Sequence, residues 1–167
     1  MNDAPALFAA APRRELVVRI PGEPVAQGRP RAFYRPGLGV RVYDPQKSRN
    51  WKATAQQHMA EALVRERLAS LTHPFIPEAA VELHVLAVFT CPRSHWRKRD
   101  PLPRRPKVSK PDAENVAKAV QDAASGVLFT DDAQVYRLTV EKFVGAQGES
   151  PYVEVTVREL PEVRGRG

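Results

Sequence analysis

The ten residues Ala80–Phe89, AVELHVLAVF, leave the chain few folds to choose from. Val81, Leu83, Val85 and Ala87 alternate with Glu82, His84 and Leu86, the period of a strand with one buried face. Segments of helical period lie on both sides. From Pro45 to about Ala69, residues Trp51, Ala55, Met59, Ala62, Leu63 and Leu68 recur at helical spacing, with Asp44 placed to cap and Pro45 at the first helical position. Pro111–Ser125 reads as a second helix closed by Gly126. Glu15–Ile20 is a strand, and Val40–Tyr43 is a second that forms a hairpin with it across the irregular or bulged-edge segment Pro21–Pro36. Gln134–Val144 and Tyr152–Leu160 alternate like a pair of strands joined by the turn Gly145–Pro151. The order β-β-α-β-α-β-β predicts an α/β fold: one domain with a mixed β-sheet and two main helices packed on it. With 167 residues, 43% of them hydrophobic, the chain suffices for one core. That domain spans 15–160, between a disordered N-terminal tail, 1–14, and a short C-terminal tail, 161–167.

Charge is distributed unevenly. The formal net charge is +7, and the segment Cys91–Lys110, CPRSHWRKRDPLPRRPKVSK, holds eight Arg/Lys and one Asp. The remaining residues are balanced, at 18 basic and 18 acidic. One twenty-residue segment therefore carries the whole excess, and it leads directly into the most acidic stretch of the chain. A cationic segment of this kind suits a phosphate backbone. A single cysteine, Cys91, excludes an intrachain disulfide and a Cys-based zinc site. With no signal-peptide pattern and no apolar run of membrane-spanning length, the expectation is a reducing, cytoplasmic setting without membrane contact. His58, His84 and His95 read as surface or strand residues and Cys91 as a small inert side chain.

The acidic stretch is KPDAENVAKAVQDAASGVLFTDDAQV. On a helical wheel Val116, Ala117, Val120, Ala123 and Ala124 share one side, and Glu114, Asn115, Lys118 and Asp122 the other. Part of this has an ordinary explanation: Ser109 with Asp112 fits a capping box, and Glu114–Lys118 and Lys118–Asp122 are i,i+4 pairs. That leaves Asp131-Asp132, after the apolar run GVLFT and at the mouth of a strand. From there the pair can fold back onto the start of the helix. Three converging carboxylates repel unless a cation lies between them. All-oxygen ligands favour a hard ion, Mg²⁺ with Mn²⁺ as a substitute, and need no organic cofactor.

These residues resemble a known family. Lys110-Pro-Asp112-x-Glu114-Asn115-x-x-Lys118, then Asp122, Gly126-Val127-Leu128 and Asp131-Asp132-x-Gln134-Val135, is similar to the signature of the RusA Holliday-junction resolvases, small endodeoxyribonucleases of bacteria and their phages. Upstream, Gly22-x-Pro24 with Gly28-Arg29-Pro30-Arg31, Pro45-Gln-Lys47-Ser48 with Trp51, and Pro92-Arg-Ser94-His-Trp96-Arg97-Lys98-Arg99 resemble further stretches of that family. The likeness runs over about residues 15–160. It implies a homodimer that binds four-way DNA junctions in the bacterial nucleoid and cuts two opposed strands with Mg²⁺. It places the catalytic acids at Asp112, Glu114 and Asp132 and the essential lysine at Lys118. Two positions depart from the family: Glu114 stands where its second Asp is usual, and Gln27 where many relatives have lysine.

On this reading Asp112, Glu114 and Asp132 are metal ligands, with Asn115, Asp122 and Asp131 in supporting places. Arg29, Arg31, Lys47, Arg97, Lys98, Arg99, Arg104, Arg105, Lys107 and Lys110 are candidates for DNA contact, and Phe33 and Trp96 for stacking on a base. Two symmetric cuts need two sites, hence a dimer; the helix around Met59 and the strand around Val85 are candidate dimer surfaces. Two other readings stay open: a less selective nuclease of flaps and branched DNA, and a catalytically silent DNA-binding module.

Overall fold

Residues 14–28, 31–43, 45–66, 68 and 74–160 are described by the computed structural model. They form β1 (Glu15–Pro21), β2 (Arg31–Arg35), β3 (Gly39–Tyr43), α1 (Gln46–Arg65), β4 (Val81–Phe89), β5 (Arg105–Pro106), α2 (Ala113–Ala124), β6 (Val135–Val144) and β7 (Tyr152–Glu159). The main sheet has the order β1-β7-β4-β6-β5. The β4–β6 pair is parallel and the others antiparallel, so the sheet is mixed as expected. The connection between the parallel strands contains α2, the usual solution for a crossover.

One face of the sheet carries the core. Leu16, Val18 and Ile20 of β1, Val81, Leu83 and Val85 of β4, and Val153, Val155 and Val157 of β7 pack with Trp51, Ala55, Met59 and Leu63 of α1 and with Val116, Val120 and Ala124 of α2. The expected apolar side of α2 is buried throughout. The opposite face is wet and laced with cross-strand ion pairs. Arg19 meets Glu154 at 2.8 Å, Arg158 meets Glu15 at 2.7 Å and Arg137 meets Glu82 at 3.2 Å, while His84 and Glu141 share a hydrogen bond of 2.7 Å. Each such exposed pair stabilises by about 0.2–1 kcal/mol, so burial on the other face dominates.

Several expectations are corrected. Val40–Tyr43 does not pair with Glu15–Ile20. It pairs with β2 in a separate two-stranded ribbon, because Pro36-Gly37, with Gly37 at φ +81°, makes a tight turn between them. β1, buried at every second residue, pairs with β7. β6 and β7 are not partners either; β4, the most buried strand, lies between them and fills the sheet centre. α1 ends at Arg65, with Leu68 outside the core. Its N-cap is Pro45; Asp44 lies outside the described residues. Met59 and Val85, expected on dimer surfaces, are fully buried in the monomer core. The expected tails lie outside the described residues except Arg14, which bonds the Phe75 carbonyl and Glu159.

Candidate nuclease site

α2 presents its two sides as its sequence dictates, and its ends are held by different parts of the sheet. Asp112 occupies the N-cap position, but its side chain caps nothing. The expected capping box with Ser109 does not form, because the N-cap residue is Asp112 and Ser109 lies three residues ahead of it, where its hydroxyl accepts from Lys107 Nζ at 2.8 Å. The Asp112 carboxylate is thus spared for another role, and Glu114 stands exposed in the first turn. This acidic end is tied down from two directions. Lys142 of β6 donates to the carbonyl oxygens of Pro111 (2.6 Å) and Ser109 (3.1 Å). The Gln27 amide donates to the Asn115 carbonyl at 2.8 Å.

Further along the same side, Asp122 receives two lysines, one on each oxygen. Lys52 of α1 reaches Oδ2 at 3.4 Å and Lys118 reaches Oδ1 at 3.9 Å. Of the two expected i,i+4 pairs, Lys118–Asp122 is therefore formed. Lys118 stays 59% exposed, with its ammonium available to an incoming anion. Neither Lys52 nor Lys142 carried a sequence signal, since each reaches its partner only through tertiary packing.

Asp132 sits in a single 3-10 turn before β6. The capping box missing from α2 is found here. Asp131 accepts from the Ala133 amide at 2.7 Å, and Gln134 Oε1 accepts from the Thr130 and Asp131 amides. Gln134 Nε2 then donates to the carbonyls of Ile76 and Ala79. Asp131 is consumed as a cap, and Asp132 projects from a knotted turn with its carboxylate exposed.

Asp132 does not fold back onto the start of its own α2. Gly126, at φ +80°, lets its amide bond the Phe129 carbonyl, while Leu128 and Phe129 are buried beside Ile76. The turn is thereby pinned to the C-terminal end of the helix. Twelve helical residues separate the two ends, about 18 Å at 1.5 Å per residue. Among the described residues no three His, Cys, Asp or Glu side chains gather closely enough to hold a metal ion. One chain offers two carboxylates, Asp112 and Glu114, at one end of α2 and a third, Asp132, at the other. Oxygen donors of this kind suit a hard divalent ion, and such an ion accepts one or two carboxylates while keeping its waters.

The basic segment is built onto the acidic end of the molecule. β5 pairs with Phe143 and Val144, the Lys107 amide bonds the Lys142 carbonyl at 2.9 Å, and Gln147 clasps the Arg97 backbone. Arg93 lies over the Trp96 ring, and the other seven cations divide into two groups. Arg104 binds Glu149 and the Tyr152 hydroxyl (3.0 Å), Arg105 lies against His95 and Cys91, and Lys107 spans Ser109 and the Phe89 ring. The Arg104 guanidinium holds the Glu149 carboxyl below its usual range, helped by the Ala146 amide. These three secure the loop. Arg97, Lys98, Arg99, Lys110 and Lys47 of α1 face solvent. Trp96 is half exposed, its indole N–H donating to the Cys91 carbonyl at 3.2 Å. Arg29 and the Arg31 side chain lie outside what is described. No helix among the described residues is long and apolar enough to cross a membrane.

The sequence matches known proteins over most of its length. Residues 21–158 match the family described as Endodeoxyribonuclease RusA. The chain is also 36% identical, over 143 residues, to the uncharacterized protein YqaN of Bacillus subtilis (strain 168), covering 83% of this chain and 92% of that protein. The match takes in α2, the basic segment and both acidic positions, and the chain belongs to the RusA family of endodeoxyribonucleases.

Proposed function

We propose that the protein is a Mg²⁺-dependent resolvase of Holliday junctions, acting as a homodimer that makes paired cuts in opposed strands. The carrying observation is the pairing of two uncommitted carboxylates, Asp112 and Glu114, with a cationic segment at the same end of the molecule. Arg97, Lys98, Arg99, Lys110 and Lys47 are placed to take the phosphates of the DNA arms, giving affinity without sequence reading.

The distance between Asp112 and Asp132 supports the dimer. β5 covers only Val144 and Phe143 on the outer edge of β6, so no described strand lies beside Val135–Glu141 there. Exposed Tyr136 and Leu138 fall in that stretch. If two copies pair antiparallel along this edge, the start of one β6 lies at the end of the other. The partner's Asp132 then arrives beside the end of β6 where Lys142 holds Ser109 and Pro111, next to Asp112 in the chain. Two symmetric sites result, one for each strand to be cut.

Asp112, Glu114 and the partner's Asp132 would hold the divalent ion. When bound, such an ion lowers the pKa of its water and offsets charge building on the phosphoryl oxygens. Lys118, steered by Asp122, stands one turn beyond Glu114 to neutralise negative charge on the reacting phosphate. A synthetic four-way junction incubated with and without Mg²⁺ tests the reading. Paired symmetric nicks that require the metal support it. Equal cutting of flaps points to a less selective nuclease, and binding without cutting to a silent module.

A further inference from the structure

The β2–β3 ribbon is unlike the rest of the fold. Among the described residues it joins no larger sheet, and its two strands pair with each other from Arg31–Tyr43 to Arg35–Gly39. Phe33 is 46% exposed, Tyr34 71%, Leu38 53% and Val40 66%. An isolated two-stranded hairpin is at best marginally stable in water, and here both its sides show apolar or aromatic surface. A covering partner is called for.

Charge and position identify that partner. Pro24–Tyr43 holds four arginines, at 29, 31, 35 and 41, and no acidic residue. In register Phe33 stands opposite Arg41, and Tyr34 opposite Val40. Interleaved rings and cations are the composition of surfaces that stack single-stranded bases against a held backbone. A protein surface meeting this ribbon would have to supply several carboxylates, whereas a nucleic acid supplies one negative charge per nucleotide. The root of the ribbon completes the argument. Just before it, the Gln27 amide bonds Asn115 in the first turns of α2, and the Gly28 amide bonds Ser48 Oγ (3.1 Å) near the start of α1. The ribbon therefore springs from beside Asp112 and Glu114.

We infer that the β2–β3 ribbon is the branch-reading arm of the enzyme, its Phe33 and Tyr34 rings stacking on bases that lose their neighbours where DNA strands exchange. This rests on the nuclease reading and adds to it the source of structure selectivity. Intact duplex offers no unstacked base, so the arm gains nothing there beyond phosphate contact. At a branch point the bases are already partly unstacked, and the rings bind them at little cost.

The test uses the full chain and two probes, a four-way junction and a linear duplex of equal length, with affinities measured without Mg²⁺ so that nothing is cut. Phe33→Ala with Tyr34→Ala should lower junction affinity by at least about tenfold per lost base, leaving duplex affinity unchanged. Phe33→Tyr with Tyr34→Phe, which keeps both rings, should preserve the junction-to-duplex ratio. Arg35→Ala should weaken both probes together. Sedimentation of the alanine variant should match wild type. An unchanged ratio in the alanine variant overturns the inference, and so does a halved mass, since the ribbon would then cover a second copy. Failure of the wild-type protein to prefer or nick the junction is a different result and removes the nuclease reading itself.

Discussion

Lys142 Nζ donates to the Pro111 carbonyl oxygen at 2.6 Å, from near the end of β6. This bond fixes the acidic end of α2 to the end of the sheet farthest from Asp132. Lys142→Met removes it together with the bond to Ser109. Bonds from a charged donor are each worth about 1.5–3 kcal/mol, so losing two should lower stability by about 3–6 kcal/mol at most. Cleavage should fall further, by at least about tenfold, because the Asp112 carboxylate loses its placement. Melting and single-turnover rates on one preparation separate the two effects. A rate that drops only as far as the folded fraction drops refutes the positional role.

Asp122 holds Lys52 and Lys118 on separate oxygens. Lys118→Met should cut the cleavage rate by about 10²–10³-fold, the usual cost of losing a charge aimed at the transition state. Junction affinity should hardly move. Asp122→Asn should give a smaller loss in the same direction, since Lys118 remains but is no longer steered. Equal losses of binding and rate in Lys118→Met would mark the lysine as a plain phosphate contact.

Glu114 reaches about one carbon–carbon bond, roughly 1.5 Å, farther than an aspartate at the same position would. Glu114→Asp should alter the ratio of rates in Mn²⁺ and Mg²⁺, because the smaller ion tolerates displaced ligands less. Glu114→Gln should abolish cutting in both. Full activity of the glutamine variant removes Glu114 from the ligand set.

The Glu149 carboxyl lies below its ordinary value because Arg104 and the Ala146 amide bind its charged form. A depressed folded-state pKa stabilises the fold above the ordinary carboxylate value of 4.5 and loses that contribution as pH falls through the folded value. Glu149→Gln should therefore lower stability at pH 7 and show a shallower fall between about pH 5 and the acid limit. Parallel acid-unfolding curves for wild type and variant would contradict this.

If each site draws on two chains, mixed dimers should complement. Asp112→Asn and Asp132→Asn are each expected to be inactive alone. Mixed after denaturation and refolding, they should form heterodimers with one intact site and recover single-strand nicking. Continued inactivity of dimers shown to be mixed places all three acids in one chain's site.

Much of this was legible in the sequence. Alternation in Val81–Ala87 and the apolar side of α2 were readable because burial follows local period. That Glu114, Lys118 and Asp122 share the polar side of α2, and that Cys91–Lys110 is cationic, is readable from period and charge. The pairing of strands was not: nothing local distinguishes a β6–β7 hairpin from two strands separated by β4. The expected fold-back of Asp132 onto its own helix start fails for a related reason. Local sequence showed a turn after Gly126, but only the burial of Leu128 and Phe129 against Ile76 decides which end of α2 that turn serves. The pairing of Arg104 with Glu149, forty-five residues away, likewise has no local signal in the sequence.

The decisive test of the proposed metal site is cleavage of an end-labelled four-way junction by wild type and by Asp132→Asn, each with Mg²⁺. Wild type should make paired nicks in opposed strands, and Asp132→Asn should bind the junction without nicking it. Normal cutting by the variant, or a wild-type protein that binds the junction but leaves it intact in both Mg²⁺ and Mn²⁺, would contradict the proposal.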